Sequence, residues 1–145
     1  MANFTTSGSD TFPAGHVIQV LMSTATASLQ SSSTSYITTG LERTITPSAT
    51  SSKIIINVSN DHDTSGGGMA VQYALFRGGS SIFDKVGYGH GLYRVISTFA
   101  QSYLDSPSTQ SEVNYQLYCK STGGSSPYFR YGGTLSTMVV MEVSG

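Results

Sequence analysis

The run Lys53-Ile54-Ile55-Ile56-Asn57-Val58 leaves a chain few ways to fold. β-Branched residues lose side-chain freedom in a helix and pack well on a pleated surface. Their alternation sends Ile54, Ile56 and Val58 to one side and Lys53, Ile55 and Asn57 to the other, which is the period of a strand. Upstream, Ile45 and Thr46 end another extended run, and Pro47 brings no N–H to continue a ladder. Ser48–Ser52 is then a small-residue turn, and Thr44–Ser59 reads as strand, turn, strand.

More period-two segments lie on both sides of this hairpin. Gly15–Ser23 reads as the first strand, with Ile18, Val20 and Met22 on one face and Val17, Gln19 and Leu21 on the other. Apolar residues on both faces predict a strand that is central or covered by a neighbour. Tyr36–Thr46 follows, with Gly40 as a bulge. Met69–Arg77 places Met69, Val71, Tyr73 and Leu75 together, and Gly78-Gly79 is a tight hairpin signal into Ser81–Asp84. Tyr93–Asp105 is a long extended stretch with a bulge expected within it. Glu112–Lys120 alternates most cleanly, with Val113, Tyr115, Leu117 and Cys119 inside. Tyr128–Tyr131 is short, and Leu135–Val143 is the last strand. Asn60–Gly68 and Lys85–Leu92 read as loops. No segment keeps apolar residues at helical spacing over three turns. The expected fold is therefore all-β: a single antiparallel β-sandwich, jelly-roll-like, of about eight strands over residues 12–145. Residues 1–11 read as a polar N-terminal arm on which Phe4 and Phe12 are the candidate partner-attachment residues.

Composition narrows the function. Only 10% of residues are charged, against about a quarter in ordinary domains, while Ser and Thr together make up roughly 29%. The net charge of −1 gives no electrostatic footprint for nucleic acid or an anionic membrane. Free monomers usually stay soluble through charge, so this composition suits an assembled subunit. One cysteine, Cys119, excludes an internal disulfide framework and reads as a small buried hydrophobe. The stretch MANFTTSGSD has neither the basic region nor the apolar run of a signal peptide, which predicts synthesis in a cytoplasm.

The ordered set FPAGHVIQV (12–20), TSYITTGLERTITPSATSSKIIINVS (34–59), QYALFRGGSSIF (72–83), SYLDSPSTQSEVNYQLY (102–118) and STMVVMEV (136–143) resembles small β-domains of tailed bacteriophages, common among marine and cyanobacterial phages. These domains occur as stand-alone virion proteins and at the C-terminal ends of tail fibres. The resemblance implies a non-enzymatic virion structural protein. It would be a homotrimer that contacts other virion proteins, such as a capsid decoration protein or small fibre. The alternative is a receptor-binding fibre tip that holds a host surface glycan.

Chemistry-bearing clusters are few. Asp61-His62-Asp63 offers alternating oxygen ligands, but the Ca²⁺ loop pattern is incomplete and the segment reads as a solvated loop. His16, His62 and His90 have no zinc spacing. No nucleophile elbow or phosphate-cradling loop is present. No catalytic residue, metal or cofactor is therefore expected. The candidate exposed recognition or interface residues are Tyr88, His90, Tyr93, Arg94, Tyr128, Arg130 and Tyr131. Tyr and Arg suit both protein interfaces and sugar stacking.

Overall fold

Lys53 begins the longest strand of the molecule. The chain is seen in a computed structural model that describes residues 14–64, 70–89, 94–122, 126–130 and 132–145, with residues 70 and 85–89 described by their backbone alone. The strands are β1 (Val17–Ala25), β2 (Leu29–Gln30), β3 (Ile37–Ile45), β4 (Lys53–Thr64), β5 (Ala70–Arg77), β6 (Ser80–Gly89), β7 (Val95–Asp105), β8 (Val113–Ser121), β9 (Tyr128–Arg130) and β10 (Ser136–Val143). All pairings are antiparallel, and no helix occurs among the described residues.

Two sheets face each other. One runs β1-β10-β4-β7, with the short strands β9 and β2 carrying the β10 and β1 rows past the end of β10. The pairing of β4 passes from Ser59↔Thr137 to Asp63↔Tyr128 across this gap. The other sheet runs β3-β8-β5-β6. Apart from the β5–β6 hairpin, each connection between long strands crosses from one sheet to the other, which is the connectivity of a jelly roll. That hairpin turns on Gly78 and Gly79, both at positive φ (54° and 85°), a left-handed conformation that glycine adopts without the conformational cost most other residues bear.

The core follows the alternation. Ile54, Ile56 and Val58 of β4, with Met138 and Val140 of β10, meet Val113, Tyr115, Leu117 and Cys119 of β8 and Val71, Tyr73 and Leu75 of β5. Each such side chain contributes about 1.5–3 kcal/mol on leaving water. Tyr73 is the hub of the aromatic packing. It stacks on Phe99 (centroids 4.5 Å apart, 16° between planes) and meets Phe129 edge-on at 6.1 Å. Its hydroxyl accepts a hydrogen bond from Asn60 Nδ2 at 2.9 Å, so the ring is buried with its polar end satisfied.

Several sequence expectations change. β4 runs on through Asp61, His62 and Asp63 to Thr64, each paired with β7, so this segment is strand and not loop. Likewise β6 continues to Gly89, into the stretch expected to be irregular. β7 holds register with β4 from Ile54↔Asp105 to Thr64↔Val95 without a bulge. A register shift does occur in β1, between Val17 and Gln19. It turns Gln19 inward to Glu142 and puts Val17 on the exposed side with Val20 and Met22. The Gly40 bulge is present, with φ of 79° and a register shift between Thr38 and Glu42.

Candidate functional site

The alternation of β4 separates Asp61-His62-Asp63. His62 points into the sandwich, is fully buried, and lies 2.8 Å from Ser97 Oγ through Nε2. Asp61 and Asp63 point to the other side. Asp61 accepts from the Thr98 hydroxyl. Asp63, buried, accepts from Arg94 through both Nε (3.1 and 3.2 Å) and Nη2 (2.8 Å). Residues one apart on a strand cannot converge on one ion, and no cluster of metal-ligating side chains occurs among the described residues.

Arg94 and Tyr128 therefore both lie next to Asp63, at one end of the larger sheet. Arg94 enters β7 while clamping Asp63, and Tyr128 is the β9 residue paired with that same Asp63. Arg94 remains about half exposed (47%). Arg130 does not join them. The sequence predicts it at the surface, yet it is only 2% exposed. Phe129 beside it is also buried, because a register shift of β9 against β2 breaks the alternation there. The guanidinium donates to Ala27 O (2.8 Å), Thr39 O (2.8 Å) and Ser136 Oγ (3.1 Å), tying the β1–β2 bend, β3 and β10 together. Burial pulls its pKa down, against the pull of Tyr73 and Cys119. Among the described residues no carboxylate pairs with it. Arg130 forms one wall of an open cleft of about 450 Å³, lined by Ala25–Leu29 and Thr38–Gly40. The side chain of Tyr88 and residues Phe4, Phe12, His90, Tyr93 and Tyr131 lie outside what the structure describes, as does the 1–11 arm.

Two surfaces stand out that the sequence reading does not single out. On the outer side of the β3-β8-β5-β6 sheet, Phe76 lies against Tyr118 (4.3 Å) and Tyr36 (5.8 Å), with Lys120 Nζ 4.4 Å above the Tyr36 ring. The Tyr36 hydroxyl donates to Asp84. Rings, a cation and a carboxylate so placed offer stacking and hydrogen bonding together. The signal was present: Tyr118 shares its parity with the outward Asn114, Gln116 and Lys120. The second surface is the outer face of the other sheet. There Val20, Met22 and Leu104 are more than half exposed.

In its fold the molecule is comparable to jelly-roll domains of virus particles. Among solved structures it is similar to infectious bursal disease virus, Gx strain (TM-score 0.54, 13% identity, 88% of this chain and 32% of that one), and to the VP2 subviral particle of infectious bursal disease virus (TM-score 0.54, 11% identity, 100% of this chain and 37% of that one). The T=1 particles derived from the same virus give a TM-score of 0.50 at 10% identity. The chain thus spans about a third of the length of the first two chains it matches, and the likeness is one of fold. No family model and no curated protein matches the sequence.

Proposed function

We propose that this chain is a non-enzymatic structural subunit of a bacteriophage virion. It works by packing, as a homotrimer on the particle surface, in the manner of a capsid decoration protein or small fibre. The observation that carries the reading is the likeness of its jelly roll to the subunit of a virus particle. It is supported by a surface unusually poor in charge and by buried polar side chains spent on tying strands together. Glu142, Asp105, Asp63 and Arg130 are each engaged by neighbours within the chain. Light scattering at micromolar concentration should give three times the 15.3 kDa chain mass. Purified protein added to particles that lack it should then restore full occupancy. A stable monomer that fails to bind such particles would overturn the reading.

The Tyr36–Phe76–Tyr118 patch favours a second reading, a fibre tip that stacks a host surface glycan on these rings. Binding to host cells that is lost in Tyr118→Ala, with the fold intact, would favour it over the first.

A further inference from the structure

The two sheets treat their outsides differently. On the β3-β8-β5-β6 sheet the outward positions hold Glu42, Asn114, Gln116 and Lys120, hydrogen-bonded or stacked on neighbours of the same face, and the rings of Tyr36, Phe76 and Tyr118 pack there on one another beside Lys120 and Asp84. Its free edges are guarded. β3 carries Glu42, Arg43 and a bulge, and β6 carries Asp84, Lys85 and two register shifts. Bulges and charges are the usual devices that keep an edge strand from pairing with a neighbour.

The β1-β10-β4-β7 sheet has one such irregularity, the register shift at Val17–Gln19 near the start of edge strand β1, and little charge over most of its face. Register aligns Val20, Met141, Ile55 and Leu104 in one row across all four strands. Met22 and Val139 stand beside it in the next row, followed by Asn57 and Ser102. β1 holds no charged residue, and β7 none before the inward Asp105. Among the described residues charges reach this face only at the two ends of β4: Lys53 at one, and Asp61 with the Asp63–Arg94 pair at the other. Val17, Val20, Met22 and Leu104 are each about half exposed or more, and with the partly buried Ile55, Val139 and Met141 they form one apolar patch, a feature that at about 300–600 Å² often marks an interaction site. A standard interface takes roughly 800 Å² from each partner, a little over half of it non-polar. A patch in that range is the apolar share that one side of such an interface needs.

We propose that the outer face of the β1-β10-β4-β7 sheet is the surface on which a second copy of this chain seats, with the Val20–Met141–Ile55–Leu104 row at its centre. The apolar row and the missing charge suit a contact between copies, whose interface cores are apolar and depleted of charge. The inference rests on the self-association proposed above and adds to it which surface makes the contact.

Val20 and Leu104 are already exposed, so a lysine at either position leaves the fold intact. Val20→Lys and Leu104→Lys should each weaken self-association at least tenfold in analytical ultracentrifugation while melting as a folded β-protein. Gln116→Lys on the opposite sheet should associate like the wild type. A second measurement does not depend on these charges. Cys119 is fully buried, so in Val20→Cys the new thiol is the accessible one, and association should protect it from maleimide. Lysine variants that associate normally, or a Val20→Cys thiol equally reactive in the oligomer and the dilute monomer, would overturn the surface assignment alone. A monomeric wild type at micromolar concentration would overturn the self-association as well.

Discussion

Glu142 is the side chain on which one corner of the molecule closes. It is fully buried. One carboxylate oxygen accepts from the Ser48 N–H and hydroxyl and from the Ser52 hydroxyl, and the other accepts from Gln19 Nε2. Burial alone would raise its pKa. The four hydrogen bonds outweigh burial and hold the carboxyl below its ordinary value. A carboxyl with a depressed folded pKa adds stability above its unfolded pKa of about 4.3 and loses it as pH falls through the folded value. The melting temperature should therefore fall on acidification below about pH 4, and less steeply in Glu142→Gln. Glu142→Ala at pH 7 strands four donors and should cost about 3 kcal/mol by urea denaturation. Arg130→Ala should cost a similar amount, about 3 kcal/mol, because it orphans two carbonyls and opens a void between β3 and β10. Little of this is legible in the sequence. Serine, glutamine and glutamate at these positions look like ordinary surface polarity until the chain crosses between sheets and brings residues 19, 48, 52 and 142 together.

At the scale of elements the sequence is far more informative. Where one face is buried, the period of two is enforced by the cost of turning apolar side chains outward, so β4, β5, β8 and β10 read directly. Reading fails where polar residues continue a strand. Asp61-His62-Asp63 resembles a loop by composition, yet Thr98, Ser97 and Arg94 on β7 satisfy it in the ladder. It fails again where an irregularity shifts the phase, as in β1 at Val17 and in β9 at Phe129–Arg130. Glycine punctuation holds. At the hairpin turn Gly78 has a φ of 54° and meets no atom that a Cβ would touch, so the constraint there is conformational. Gly78→Asn should be tolerated, and Gly78→Val should lower stability by about 1–2 kcal/mol, read from the urea midpoint.

Taken whole, the structure sets the first of its described strands against the last. β1 pairs with β10 more than a hundred residues later, and β10 in turn supplies one side of β4. During synthesis Val17–Ala25 lacks its ladder partner until Ser136–Val143 has emerged, a wait of about 6–24 s at ordinary ribosome speeds of about 5–20 residues per second. Among the described strands only the β5–β6 hairpin forms from neighbouring sequence; each other long pairing closes a large loop first, which slows folding. The uncharged β1 must be kept apart from other nascent chains through that interval. Overexpression should therefore favour inclusion bodies at high translation rates and soluble protein at low ones, measured as the soluble fraction. A chain stopped at Leu135 should stay unfolded by circular dichroism, since it leaves β1 and β4 without the strand between them. The same closure works in reverse once folding is complete. Val17 and Val143 lie side by side at one end of the β1–β10 seam, so a load that draws them apart opens the ladder pair by pair from that end and does not shear it whole.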